Sequence, residues 1–455
     1  MTMSGVPATD PDDPLAIAEY TPNGQTALVD AERWPTLTAG GARRLESLRS
    51  HPDAPAWVHA TGDRLSAEAV ARVREPLPTE GWLDEHLETA RRLPAYRRRA
   101  AELRTLGDFP LITRDHLVDD VSAFVPLDAD LGQAVHGSSS GSTGRALLIP
   151  DDIEDTARTF HLLVHLASEQ GVDWAPDDSR MALAHVVKQR QAFTYASVIS
   201  SFGQATMARL NLDGSQWTSG EARTRFLSSQ NPQAVSGSPT SLAELLVPEL
   251  VEALHPLVIF SGALALSGPL RRELERVYGC PVIDIYGLHE TRPIASSADG
   301  GPLVVLDRRV HVEVVDEHGH PAEAGALGEI VVTAGENPLL PLVRYRTGDF
   351  GRLVERDGRL AIADLEGREA TTFRAADGSR VPCVDLTQQL QAAGAHGWSV
   401  LQDATGEVSA TIVRGDAARI SAALEALLGR RVKVEQRGTL SDLGEGKPRR
   451  YVSHS

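Results

Sequence analysis

Residues 135 to 150, VHGSSSGSTGRALLIP, concentrate backbone N–H groups and short hydroxyls between an apolar entry and an apolar, Pro-terminated exit. Gly137, Gly141 and Gly144 let the main chain come close to an anion, and Ser138, Ser139, Ser140, Ser142 and Thr143 add donors that lose little side-chain entropy. A polyphosphate is the guest such a loop suits. Arg145 follows Gly144 where a Walker A loop would carry Lys-Ser/Thr, and the glycine spacing also misses the dinucleotide fingerprint. By composition alone a Ser/Gly linker fits equally well, and the strand-like flanks favour an ordered loop.

Four further positions could do chemistry. Glu290, in IYGLHET (285–291), stands just past a strand ending at Gly287, where a carboxylate can hold Mg²⁺ as a hard oxygen ligand or serve only as a helix N-terminal charge. Asp349, in YRTGDFGRL (345–353), follows a glycine turn and can accept two hydrogen bonds from a ribose diol or merely cap that turn. Arg368 in GRE (367–369) reads by itself as a surface arginine, and Lys447 in GEGKPRR (444–450) as a solvated lysine on a Gly-flanked loop.

The elements around these positions are those of an α/β protein. LVIFSG (257–262) and PVIDIYG (281–287) are short apolar runs ending in glycine, separated by an amphipathic helix over 268–279; further helical spacing appears at 80–106 and 240–254. Such runs predict a buried parallel sheet, with ligands at the carboxyl ends of its strands. Residues 304–334 alternate apolar and polar around Gly and Pro turns, which predicts antiparallel sheet. After Gly367 come a hairpin-like stretch, a strand near 408–413, a helix at 417–428 and a strand at 431–436, a small α+β unit. The expected organisation is a large N-terminal domain, 1–365, of mixed and parallel sheets with flanking helices and an antiparallel subdomain, followed by a small C-terminal domain, 366–455. Residues 1–79 form its N-terminal extension.

At 455 residues, 42% hydrophobic and 24% charged, the composition is that of a globular protein of two or three domains. A net charge of −17 argues against a nucleic-acid surface, and the arginines between Arg91 and Arg99 read as a solvated helix face. No apolar run is long enough to span a bilayer, and the acidic, Pro-rich start is unlike a signal peptide, so a cytoplasmic protein without a membrane partner is expected. Cys280 and Cys383 are too few for a zinc site and read as small buried hydrophobes.

The order of the motifs resembles the adenylate-forming enzymes, and among them the phenylacetate–coenzyme A ligase branch, over roughly residues 80 to 450. SSGSTGRA is similar to that family's phosphate loop, SGSPTSL (236–242) to its Gly-Thr-Pro segment and DIYGLHE (284–290) to its Asp-x-Tyr-Gly-x-x-Glu motif. LGEIVVTA and PLVRYRTGD look like its Gly-Glu and Arg-Tyr-Arg-Thr-Gly-Asp pair, and GEGKPRR like its catalytic-lysine loop. The resemblance implies ATP with its phosphates on Ser140, Gly141, Ser142, Thr143 and Gly144, adenine against Gly262, Ala263, Tyr286 and Gly287, and ribose on Asp349 with Arg368. It also implies Mg²⁺ on Glu290 and a catalytic Lys447 bridging the attacking carboxylate and the phosphate. The product is an acyl-adenylate. The small domain then turns about a hinge near 364–368 and coenzyme A takes the acyl group. Phe193, Tyr195, Ser236 and Gly237 fall where the acid binds, although the two aromatics read equally as core; a small aromatic acid is the expected substrate. Lys188 and Arg190 could offer it charge. A homodimer is compatible with the resemblance.

Three departures from the family stand out. His289 replaces the usual Ser or Thr beside the glutamate, where it is either a titratable catalytic contact or a steric substitute. Ala370 and Thr371 stand where paired aspartates are expected, and Arg145-Ala146 replaces Lys-Pro. Because residues 370–371 belong to the second-step face, acceptors other than coenzyme A remain open: an amine, a carrier-protein thiol, or nitrite in diazotisation of an aryl amine.

Overall fold

The structure, a computed structural model, describes residues 28–454 except 141–145, 190–191, 193, 368–370 and 445–449, with the main chain only at 133, 136–140, 146, 382 and 384. The Ser/Gly stretch enters and leaves as an antiparallel hairpin, β1 (Val135–Ser140) with β2 (Ala146–Asp151), in which Ser140 pairs with Ala146. Gly141, Ser142, Thr143 and Gly144, between them, lie outside the described residues.

The centre of the molecule is one twelve-stranded sheet. Its strands are β3 (Leu183–Val187), β4 (Tyr195–Ile199), β5 (Ala205–Asn211), β6 (Ala234–Gly237), β7 (Val258–Ser261), β8 (Val282–Leu288), β9 (Arg292–Ser297), β10 (Leu303–Val305), β11 (Val310–Val315), β12 (Gly328–Ala334), β13 (Leu342–Arg356) and β14 (Arg359–Glu366). Their order is β11-β12-β13-β14-β10-β9-β8-β7-β6-β3-β5-β4. From β5 through β3, β6 and β7 to β8 neighbours run parallel, and β4 closes that side antiparallel. Beyond β8 every pair is antiparallel. The antiparallel region anticipated from 304–334 is therefore hydrogen-bonded edge to edge with the parallel one.

Burial on both faces explains the apolar runs. Ala184, Val186, Leu210, Val235 and Ile259 pack on one side against helices that include Leu242, Leu250 and Leu274. Leu183, Ala234, Val258, Phe260 and Ile283 pack on the other against Leu162 and Leu166 of the helix Ile153–Glu169. The helix Gly268–Tyr278 starts where the Ser267 side chain accepts the Leu270 N–H and stops at Gly279, whose φ of 63° suits glycine. Helical spacing over 80–106 and 240–254 yields shorter pieces, Trp82–Arg91 in the first and Pro239–Ala243 with Pro248–Ala253 in the second, because Pro239 and Pro248 each restart the chain at a helix N-terminus.

After Glu366 a second, smaller body follows. It holds the hairpin β15 (Thr372–Arg374) with β16 (Arg380–Pro382), and a four-stranded sheet of β17 (Gly397–Gln402), β18 (Val408–Val413), β19 (Val432–Arg437) and β20 (Tyr451–Ser453) in the order β19-β18-β17-β20. Its own core joins Phe373, Leu386, Leu390, Trp398, Ile412, Ile420 and Leu424. It docks on the large sheet through the helix Gly268–Tyr278: Ser267 Oγ donates to the His396 carbonyl at 2.8 Å, and Glu273 meets His396 at 3.3 Å and Arg414 at 3.2 Å.

One buried charge network ties the β1–β2 hairpin to the sheet. Asp155, fully buried in the first turn of the helix Ile153–Glu169, receives Arg292 Nε at 2.6 Å, and the other arm of Arg292 reaches Asp151 at 2.8 Å. Removing Asp155 would strand a guanidinium in the interior. Asp155→Ala is expected to lower unfolding stability by about 3 to 5 kcal/mol, read from the urea midpoint, while a surface control such as Glu317→Ala leaves the midpoint unchanged.

Candidate active site

The carboxyl ends of β6, β7 and β8 bring the sequence motifs together. Gly237 ends β6 where a Cβ would fall 2.8 Å from the Val186 carbonyl, so only glycine fits. The Gly262 N–H donates to the Gly237 carbonyl at 3.1 Å, joining the loops after β6 and β7, and Ala263 follows with a φ of 66°. Next to them, Gly287 passes so near β9 that a Cβ would lie 2.5 Å from the Arg292 carbonyl, which lets β8 turn back tightly at residues 289–291.

Across this crevice β13 carries the second half. Gly348, with a φ of 76°, makes the turn in which the Asp349 N–H donates to Thr347 Oγ1 at 3.0 Å, and Glu329 accepts from the Gly348 N–H at 3.3 Å. Tyr286 from β8 donates its hydroxyl to Asp349 Oδ2 at 2.9 Å. Burial, and then the neighbouring carboxylate, push that phenol well above its usual pKa, so it remains a donor. Gly367 lies against the same group: a Cβ there would sit 3.4 Å from Asp349 Oδ1. Asp349 thus joins β8, β13 and the chain leaving β14, while Arg368 lies outside the described residues.

Glu290 is 6% exposed in the turn after β8, and its Oε1 lies 3.9 Å from Arg114 Nε. The helical setting considered for it does not occur, because the chain reverses directly into β9. No group of three or more His, Cys, Asp or Glu side chains among the described residues could cage a metal. One carboxylate matches what Mg²⁺ asks of a protein when phosphates and waters complete its shell. His289 is positioned differently from the catalytic contact considered in the sequence: its Nε2 is 3.0 Å from Asp151 Oδ2, at the end of β2. Through Nε2 the ring joins the Glu290 turn to the end of β2.

The segments expected to hold the acid meet on one face of the sheet. Ser236 of β6 pairs in register with His185 of β3, His185 with Arg209 of β5, and Arg209 with Tyr195 of β4. Residues paired in this way project to the same side. His185 Nδ1 and Ser236 Oγ are 2.9 Å apart, and the His59 ring meets Tyr195 edge-on at 5.9 Å. Phe193 and Arg190 lie outside the described residues, and Lys188 is neutralised by Asp213 at 3.4 Å and Glu244 at 3.7 Å. The charge on this face comes instead from Arg209, a residue the sequence reading passed over. Its signal was a lone arginine in ATMARLN, flanked by Ala208 and Leu210, which are both buried.

Burial, followed by the Arg209 charge, lowers the pKa of His185 to about 4, so the ring is neutral at neutral pH. Its C2 proton is expected to show no NMR titration between pH 8 and pH 5. In Arg209→Met the pKa should rise yet stay below the ordinary histidine value, because burial is the larger cause. A normal titration near 6.5 in the unmodified protein would contradict the placement of His185.

No family model matches the chain. Phenylacetate–coenzyme A ligase of Escherichia coli (strain K12) is 26% identical over 276 residues, 57% of this chain and 60% of that protein. The enzyme of the same name from Pseudomonas putida is 34% identical over 115 residues, 24% of this chain and 26% of its own length, and Protein CapK of Staphylococcus aureus is 21% identical over 265 residues, 56% and 55%. The chain therefore spans less than two thirds of the length of each of these relatives. In fold it is similar to 2-hydroxyisobutyryl-CoA ligase in a postadenylation state, with a TM-score of 0.60 and 17% identity across 84% of this chain and 91% of that one. By sequence the chain is similar to phenylacetate–coenzyme A ligases, and it shares its fold with 2-hydroxyisobutyryl-CoA ligase.

Proposed function

We propose that this protein is an AMP-forming ligase that uses ATP to activate a small carboxylic acid as its acyl-adenylate and passes the acyl group to coenzyme A. The observation that carries this reading is the docking of the C-terminal loop. Arg450 NH2 donates to the Ala265 carbonyl at 2.7 Å, two residues past Ala263, while its guanidinium stacks 4.6 Å from the Trp398 ring. Lys447, outside the described residues, precedes Arg450 by three residues in the sequence, about 10 Å of extended chain at most, and this closeness in sequence supports its assignment to the Gly262–Tyr286–Asp349 crevice.

In this reading ATP lies along that crevice with its ribose diol on Asp349, aided by Arg368, and its base beside Gly262, Ala263, Tyr286 and Gly287. The phosphates rest on Ser140, Gly141, Ser142, Thr143 and Gly144 at the hairpin, which the Asp151–Arg292–Asp155 network holds against the sheet. Glu290 would hold Mg²⁺, which supplies charge neutralisation to the phosphates when bound. The substrate carboxylate attacks the α-phosphorus and pyrophosphate leaves; Lys447 donates to the oxygens on which negative charge develops. Two relatives on this branch are named phenylacetate–coenzyme A ligases, which supports the thiol of coenzyme A as the acceptor and an aryl acid as substrate. The acceptor has one competing reading, a non-thiol nucleophile, favoured by Ala370 and Thr371 where that branch carries acidic residues.

A panel of aryl and alkyl acids, assayed for pyrophosphate release with and without coenzyme A and for products by mass, tests both readings. Acid-dependent release with a CoA thioester supports the first, and release without thioester supports the second. Lys447→Ala is expected to lower acid-dependent release by about 100-fold or more while ATP binding by calorimetry changes little. Unaltered turnover in that variant would remove Lys447 from the mechanism.

A further inference from the structure

The short strand that follows the Lys447 loop is anchored to both ends of the small body. β20 lies parallel to β17, with Tyr451 opposite Val400, and the Val400 N–H donates to the Arg450 carbonyl at 2.7 Å. Thr387 Oγ1 donates to Glu366 Oε1 at 2.6 Å and so spends its one proton. The Tyr451 hydroxyl, 2.5 Å from the same oxygen, is therefore the donor to it, and it accepts the Trp398 indole N–H at 2.7 Å in turn. The donors of Trp398, Tyr451 and Thr387 thus line up toward one carboxylate, an order in which each bond strengthens the next. Trp398, Thr387 and Glu366 are buried, and Glu366 is the last residue of β14, where the chain leaves the large sheet.

From this fixed backbone the Arg450 side chain crosses to the large sheet. Its guanidinium stacks on the Trp398 ring and donates to the Ala265 carbonyl in the loop after β7. Burial pushes the carboxyl of Asp284, on β8, up to about 6 and raises that of Glu366 as well, and the Arg450 charge opposes both shifts. The cation therefore stands where the nucleotide strands, the exit from β14 and the small body meet. Its two direct contacts respond differently to a turn of the small body. The stack joins two residues of that body and travels with it, whereas the hydrogen bond joins the two bodies and must break.

Resting on the ligase reading above, we infer that Arg450 is a positioning residue for adenylation: seated on Trp398 and latched to Ala265, it fixes how the chain from Lys447 enters β20, and it lets that chain go when the small body turns. The lysine meets the reacting oxygens and the arginine acts only through it. Misplacement of a catalytic group by about 1 Å is enough to cost a large part of its effect. A lysine at 450 keeps the charge and a donor for Ala265, but it loses the planar face that lies on Trp398.

The test measures pyrophosphate release with the acid of the panel above that the intact protein turns over fastest. Arg450→Met is expected to lower kcat by about 10- to 100-fold with little change in the KM for ATP, and Arg450→Lys should fall between it and the intact protein. In a Lys447→Ala background Arg450→Met should cost no further rate, since a positioning residue has nothing left to position. An arginine that merely supports the fold would slow both backgrounds alike; that additivity, or an unchanged kcat in Arg450→Met, would overturn the inference. Circular dichroism checks folding, and if Arg450→Met does not fold, Arg450→Lys is carried through the same two backgrounds. If no acid releases pyrophosphate, or Lys447→Ala turns over normally, the ligase reading fails on its own, and hydrogen exchange decides the latch. Faster exchange in residues 262–268 and 396–402 of Arg450→Met, with the helix Ala417–Leu428 unchanged, supports it, and unaltered exchange in both segments overturns it.

Discussion

The arrangement depends on a guanidinium buried between two carboxylates. Arg292 leaves the tight β8–β9 turn with a φ of 64° and reaches Asp151 at the end of β2 and Asp155 at the start of the following helix. Three desolvated charges are costly individually, and the cost is offset only while all three stay in contact, which makes the geometry close to all-or-none. The contact fixes two elements that the chain separates by more than a hundred residues. Without it the β1–β2 hairpin would keep apolar packing and the Asn337 hydrogen bond to the Pro150 carbonyl; with it, Glu290 and the hairpin keep one relative position.

The same constraint explains His289. A serine or threonine at that position is too short to span from the β8–β9 turn to the end of β2, whereas an imidazole reaches Asp151 Oδ2. In this structure the His289 side chain takes part in that network. Its place cannot be read from a motif, because the partner carboxylates at 151 and 155 are distant in sequence and their own neighbours look like an ordinary helix N-terminus.

That contrast separates what the sequence made legible from what it did not. Strands β7 and β8, the helix between them and the small C-terminal sheet follow from local period and punctuation: four consecutive buried residues in VIFS, a Ser267 cap, a Gly279 stop. The meeting of Tyr286 with Asp349 was implied by the order of motifs and depends on β13 lying across the crevice. The continuous hydrogen bonding from parallel to antiparallel strands was hidden, since edge pairing of β8 with β9 leaves no mark on composition. Arg209 was hidden for another reason. A single arginine in a short strand looks like a residue facing solvent, and only the register with His185 and Tyr195 shows that its face is interior.

Arg209 places a cation in that interior. Burial disfavours the charged form of Arg209 and of both neighbouring histidines, and the Arg209 charge lowers the two histidines further. The resulting row has a neutral polar end beside Gly237 and a positive end two strands away. The strand order β6-β3-β5-β4 thus sets the distance between the neutral and the positive end of this row of side chains.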